Sequence, residues 1–151
     1  MTQDEILEAF ALLPDWEDRY QLIGDLGCAL PAMAAGQKTE ANRVKGCNTR
    51  AWLAAHLTDD QPPRLELEAD AETPLVRGLV ALLLIPFRDK TPAEILATDA
   101  KAFFAPLGIE SALSPSRRAG MHALIARVRA LAAAHLQTEG SAGGEGTAEP
   151  G

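Results

Sequence analysis

The chain has 151 residues, 47% of them hydrophobic and 23% charged, the ordinary range for one soluble globular domain with a buried core. Its formal net charge of -7 argues against nucleic acid and anionic membrane surfaces, since neutralising phosphates takes a basic face. Met1-Thr2-Gln3-Asp4-Glu5 is acidic where a targeting segment is basic, no apolar run approaches the roughly 18 residues of a spanning helix, and two cysteines are too few for a disulfide framework, so the expected location is the cytosol.

Thr2 with Glu5 three residues on makes a capping-box pattern, and Ile6, Leu7, Phe10 and Leu13 recur at helical spacing up to Pro14. This predicts a short first helix. Asp15 is placed to cap a second helix, whose apolar stripe is Trp16, Tyr20, Ile23, Leu26 and Leu30 and which ends near Pro31 and Gly36. Cys28 lies close to that stripe, between Gly27 and Ala29, and reads as helix packing.

From Arg43 the period changes. Arg43-Val44 enters a glycine-cysteine turn, and Thr49 to Leu57 follows as a second extended stretch, with helix left open by its alanines. Leu65, Leu67 and Ala69 then alternate with Arg64, Glu66, Glu68 and Asp70, the period-2 pattern of a strand with one wet face. Thr58 to Pro63 between them reads as a hairpin loop.

Thr73 and Pro74 supply an N-cap and first-position proline for a helix through Leu84 that is apolar almost all round, hence central and buried, and stopped by Pro86. Thr91-Pro92-x-Glu94 starts a short helix, Asp99 another before Phe103 and Phe104, and Gly108 closes that stretch. Ser114-Pro115 opens the last long helix, with Met121, Leu124, Ile125, Val128 and Leu131 inward and Arg117, Arg118, Arg127 and Arg129 mostly solvated. Residues 138–151 hold no large apolar residue to offset the entropy of ordering, which predicts a disordered tail after a domain spanning 1–137. The sum is an α+β domain: two helices, a small antiparallel sheet of about three strands, and a helical second half covering one face.

The chemistry-bearing residue is Cys47. An unperturbed thiol, with pKa near 8.5, is only about 3% ionised at pH 7. Arg43, Lys45 and Arg50 place three cations in the window 41–57, which contains no Asp or Glu, so the local field favours the thiolate. Gly46 adds a backbone that turns sharply and lets a partner approach. The opposing reading is a small buried hydrophobe beside cations that solvate a strand edge. A Cys–His pair finds no support: His56 is nine residues away, up to about 30 Å along an extended chain. His122 and His135 share no helical turn, no C-x-x-C or H-x-x-x-H suggests zinc, and the glycines from Gly140 to Gly146 follow a helix, the wrong setting for a phosphate loop.

The ordered set of Trp16-Glu17-x-Arg19-Tyr20, Leu26-Gly27-x-x-Leu30-Pro31, Asn42-Arg43-Val44-x-Gly46-Cys47, Trp52-Leu53, Val76-Arg77-Gly78-Leu79, Thr91-Pro92 and Leu113-Ser114-Pro115-Ser116-Arg117 resembles the SufE family over residues from about 5 to 135. Members of that family are sulfur-accepting partners of cysteine desulfurases in iron–sulfur cluster assembly. The resemblance implies a SufE/NifU-like fold, helices on one face of a curved antiparallel sheet, with Cys47 as persulfide acceptor at a loop tip. It implies a carrier and activator rather than an enzyme, with no cofactor of its own. Pyridoxal phosphate sits on the partner, a desulfurase of the SufS/CsdA type, and an iron–sulfur scaffold complex lies downstream.

In family members the loop cysteine is tucked against apolar surface when free and swung out on docking. Gly46, Arg43, Lys45 and Arg50 support the acceptor. Arg117 supports the loop or docking face, or is a solvated helix-start arginine. Glu72 faces the partner, or is a helix-start charge. Asn48-Thr49 stands where Gln-Ser is common and Ala51 where valine is, which bears on loop geometry and partner fit. Two other classes stay open: a cluster scaffold or metal-binding module, which the shortage of cysteine ligands opposes, and a thiol redox enzyme, for which Cys28 is a poor resolving residue.

Overall fold

The computed structural model of the chain describes residues 2–46 and 49–143, with side chains to residue 136. Helix α1 (Gln3–Leu12) starts at the capping box: the Glu5 amide donates to Thr2 Oγ1 at 3.1 Å and the Thr2 amide to Glu5 Oε1 at 2.8 Å. Its end is closed from outside. Arg19 of α2 (Trp16–Ala29) donates to the carbonyls of Leu13 at 2.6 Å and Phe10 at 2.8 Å, with its guanidinium over the Phe10 and Trp16 rings. Asp15 stands at the N-cap position of α2 without a side-chain capping bond.

The central helix is α3 (Pro74–Leu84), capped by Thr73 and buried from Gly78 to Leu84, with a 3-10 turn, Ile85–Phe87, carrying Pro86 beyond it. It meets α2 backbone to backbone. A Cβ on Gly78 would lie 2.2 Å from the Ile23 carbonyl oxygen, and one on Gly27 would lie 2.7 Å from the Gly78 nitrogen. Cys28 is exposed, not packed. One residue further along a helix is a rotation of about 100°, so with Gly27 turned onto α3, Cys28 is carried out to solvent.

Strands β1 (Ala51–Leu57) and β2 (Leu65–Ala71) form an antiparallel hairpin in the register Ala51↔Ala71 to Leu57↔Leu65. The loop between them is closed by reciprocal contacts, the Thr58 amide to the Arg64 carbonyl and the Arg64 amide to Thr58 Oγ1, both at 2.9 Å. Among the described residues the sheet has two strands, where the sequence predicts about three. The third is reduced to a single bridge, Arg43↔Trp52, with hydrogen bonds Val44 N to Ala51 O and Leu53 N to Asn42 O, both 2.8 Å. A turn of Thr39 to Arg43 precedes it, and Gly46, at φ +94°, bends the chain away after it, so pairing has no room to lengthen.

The second half is helical: α4 (Pro92–Ala97) with the Thr91/Glu94 capping box, α5 (Ala100–Phe104) capped by Asp99, α6 (Ile109–Ala112) after Gly108 at φ +67°, and α7 (Pro115–Gly143). α3 packs on β2, and α7 packs on α3, α4 and β1. Two arginines expected in solvent on α7 are partly buried: Arg118 donates to the Leu113 carbonyl at 3.3 Å and Arg127 to the Ala41 carbonyl at 2.9 Å. The backbone of α7 is helical to Gly143, past the predicted boundary at 137, and residues 144–151 lie outside the described residues.

Because the two nearest atoms a Gly78 methyl would strike, the Ile23 carbonyl oxygen and carbon, are backbone, no rotamer change relieves the clash. Gly78→Ala should lower the unfolding free energy by about 3 kcal/mol in urea titrations. Gly24→Ala, in the same helix pair but with nothing within 4 Å of its Cβ, should raise it by about 0.5–1 kcal/mol.

Candidate functional site

The limb that leads to the cysteine runs from Leu30 to Gly46 and is irregular apart from a 3-10 turn, Ala35–Gln37. Of residues 31–41 only Met33 is buried, so little apolar burial holds this stretch. Polar bonds hold it instead. Asn42 Nδ2 donates to the Gln37 carbonyl at 2.7 Å, Arg127 reaches the Ala41 carbonyl, and Val44, which is buried, pairs with Ala51.

The limb ends at Gly46, whose φ of +94° lies in a region L side chains rarely adopt and whose Cβ would meet the Ala123 Cβ at 3.2 Å. The sequence-predicted acceptor, Cys47, lies with Asn48 outside the described residues. The chain resumes at Thr49 and Arg50.

The three predicted supporting cations flank Cys47 in the sequence, but they are not unopposed. Lys45 pairs with Glu40, Arg43 approaches Glu40 at 3.9 Å, and Arg50 pairs with Glu72 at 2.7 Å. The Arg50 and Glu72 backbones are also joined, the Glu72 amide donating to the Arg50 carbonyl at 3.0 Å. Three cations thus face two carboxylates, leaving a weaker positive excess than the sequence window suggests. Glu40 stands just before that window and Glu72 arrives from the far strand, which is why the count missed them. The Lys45 ammonium holds Glu40 below the usual carboxylate range, and the Arg50 guanidinium does the same for Glu72.

Beside the loop lies a cavity of about 250 Å³, walled by Ala51, Leu79, Leu83 and Met121 among others, with Thr49 and Arg117 also in its lining. Among the described residues of that lining Arg117 is the one charged side chain, and it is exposed. The structure therefore brings Arg117, from the start of α7, to the same cavity as the residue that resumes the loop. Glu72 is exposed and paired with Arg50 at the loop's far end.

Sequence reasoning missed Asp70. Its alternation places it on the wet face of β2, yet it is 4% exposed, the one buried charged residue among the described residues. At the last turn of the strand the limb folds over that face. Asp70 accepts from the amides of Met33 at 3.3 Å and Ala71 at 2.8 Å and pairs with Lys38 at 3.2 Å and Arg77 at 3.4 Å. Arg77 also donates to the Leu30 carbonyl, and Lys38 lies over the Trp52 ring. Burial pushes the Asp70 carboxyl up, but the Ala71 amide, Lys38, the Met33 amide and Arg77 outweigh it and hold the group below its ordinary value.

Fold and site define an α+β protein in which the hairpin and the last long helix build an apolar cavity with Arg117 in its lining, together with Thr49, two residues along the chain from the sequence-predicted acceptor. The chain belongs to the SufE family: the family model described as SufE, Fe-S metabolism associated domain, matches residues 4–132. Membership implies a sulfur-acceptor role in iron–sulfur metabolism. An uncharacterized SufE-like protein of Rhizobium etli is 39% identical over 127 residues, covering 83% of this chain and 86% of that one. Another, of Rhizobium meliloti, is 38% identical over 134 residues, covering 88% and 96%. The solution structure of a hypothetical protein from Thermus thermophilus superposes with a TM-score of 0.71 at 24% identity, covering 91% of this chain and 99% of that one, a likeness of fold. Among the described residues no helix is long and apolar enough to cross a membrane.

Gly46→Ala should destabilise the fold by about 1–2 kcal/mol in urea titrations, from the left-handed backbone alone. A separate test concerns acid. Asp70 is free at about pKa 3.9 when unfolded and lower when folded. Its contribution is therefore complete above about pH 4 and is lost as pH falls through the folded value. Urea midpoints of the native chain should fall on acidification below about pH 4 more steeply than those of Asp70→Asn.

Proposed function

We propose that this chain is a sulfur carrier that takes persulfide sulfur onto Cys47 from a cysteine desulfurase, stimulates that enzyme, and passes the sulfur to a scaffold complex for iron–sulfur cluster assembly. The observation that carries the reading is the family match over residues 4–132, a span that includes Gly46-Cys47, with Gly46 at the end of the polar-anchored limb. The chain needs no cofactor for this: pyridoxal phosphate serves the partner.

The transfer is a relative of disulfide exchange. The Cys47 thiol gives up its proton to solvent, and its thiolate attacks the terminal sulfur of the partner's persulfide. A sulfur–sulfur bond forms on Cys47, the one on the partner breaks, and the partner's cysteine leaves as thiolate. No net oxidant or reductant is consumed. The positive excess of Arg43, Lys45 and Arg50 over Glu40 and Glu72 favours the attacking thiolate and then the anionic persulfide. The apolar cavity at Thr49 and Arg117 offers the sulfur a dry neighbourhood, which slows oxidation of the persulfide. Arg117 supports the loop from that cavity, and the Glu72–Arg50 pair stands at the face offered to the partner. A reducing cytosol suits a carrier that must keep its thiol free.

Incubation with a cysteine desulfurase, pyridoxal phosphate and cysteine without reductant, followed by alkylation and peptide mass mapping, tests the reading. Extra sulfur is expected on the Cys47 peptide, absent in Cys47→Ser and retained in Cys28→Ser. Because Cys28 is exposed, the second variant matters. Sulfur confined to the Cys28 peptide, or full desulfurase stimulation by Cys47→Ser, would overturn the proposal.

A further inference from the structure

Strand β2 has an open edge. Across the hairpin the Thr58 amide bonds the Arg64 carbonyl and the Glu72 amide the Arg50 carbonyl, so the even-numbered residues form the hydrogen-bonded pairs. Leu65, Leu67 and Ala69 therefore aim their N–H and C=O away from β1. One end of this edge is closed by the Leu65 amide, bonded to the Lys90 carbonyl at 2.8 Å, and the other by the limb, where the Met33 amide meets Asp70. About 17 Å of strand separate the two. Between them the Leu67 N–H and C=O have no hydrogen-bond partner among the described residues. Open main-chain groups at a sheet edge are a template for another strand.

The edge borders a groove. A hollow of about 520 Å³ lies beside residues 65–67, with Leu26, Leu30, Leu84 and Phe87 in its lining. A residue directly opposite Leu67 on an added strand shares its face, and Leu67 packs against the core, so an apolar side chain there enters the hollow. The two neighbours of that residue fall on the other face, opposite Glu66 and Glu68, both exposed. Glu66 is bonded to His56 at 2.9 Å, and Glu68 has no ion-pair partner among the described residues. Elsewhere in the lining Asp60 and Asp89 balance Arg64 and Arg88, so these two glutamates set the sign of the groove. Cations opposite them complete cross-strand pairs.

We propose that the Leu67 edge of β2 is a docking site for an extended segment of a partner protein with the pattern basic–apolar–basic, added as an antiparallel strand. Two other occupants are disfavoured by charge. A second copy paired edge to edge about Leu67 sets Glu66 against Glu68, like charge on like. Residues 138–151 of the chain itself hold Glu139, Glu145 and Glu149 and no Lys or Arg. The groove shares no lining residue with the cavity at Arg117, so the proposal stands apart from the sulfur-acceptor reading.

The test titrates the isotope-labelled full-length chain with the capped peptide Thr-Lys-Leu-Lys-Thr to millimolar concentration and follows the backbone amide signals by NMR. The Leu67 amide should shift and exchange its hydrogen more slowly, while the Leu53 amide, already bonded to Asn42, stays in place. Glu68→Lys, at an exposed position, should weaken binding of this peptide about fivefold and favour Thr-Glu-Leu-Glu-Thr instead. On the native chain Thr-Lys-Ser-Lys-Thr, which lacks the apolar anchor, should bind about tenfold more weakly than the leucine peptide. A native Leu67 amide that does not respond, or equal binding of the lysine and glutamate peptides, overturns the proposal. Self-association of the native chain that protects the Leu67 amide overturns it as well, by assigning the edge to a second copy.

Discussion

Helices α2 and α3 touch backbone to backbone at Gly27 and Gly78, and the rest of the molecule is hung on that contact. With Gly78 against the Ile23 carbonyl, its neighbour Arg77 is carried to the end of α2, where it bonds the Leu30 carbonyl and pairs with Asp70. Asp70 in turn gathers Met33 and Lys38, and the limb beyond them runs to Gly46. Side chains at either glycine would separate the helices and move Arg77 out of reach of both partners. A steric constraint in the core thus becomes an electrostatic one at the surface and finally a geometric one at the loop.

Electrostatics in this chain work locally and in pairs. The whole is acidic, but the loop is set among Arg43, Lys45 and Arg50, each answered by a carboxylate from outside the loop. Pairing lowers the net positive charge of this stretch and also stakes down the returning chain, since Glu72 holds Arg50 through side chain and backbone alike. Exposed pairs of this kind stabilise a fold only slightly. Their consequence is geometry: the limb is moored on one side at Asp70 and the returning chain on the other at Glu72, two positions near the end of one strand. The cavity beside Thr49 is built by α3 and α7, elements whose own packing is independent of these pairs.

Much of the fold was legible along the chain. The capping boxes at Thr2 and Thr91, the apolar cylinder of α3 and the alternation of β2 are local signals, and local hydrogen bonding and periodicity fulfil them. Several motif residues turn out to be structural. Arg19 closes α1 and Arg77 closes α2, roles invisible in a sequence because they depend on a carbonyl from another segment. The third strand failed for a similar reason: extended residues at Arg43-Val44 were there, but turns on both sides left room for one bridge.

Sequence by itself determined where most of the helices and the second strand lie, that one cysteine follows a turning glycine among cations, and which family the chain resembles, because caps, periodicity and motif order are properties of neighbours in the chain. Tertiary structure alone decided that Asp70 is buried, that Cys28 faces solvent, that Glu40 and Glu72 answer the loop's cations, and that Arg117 shares a cavity with Thr49. Apart from Glu40, which stands just before the loop, each of these depends on which distant segment folds over a given face. A charge or a thiol carries no local mark of what will cover it.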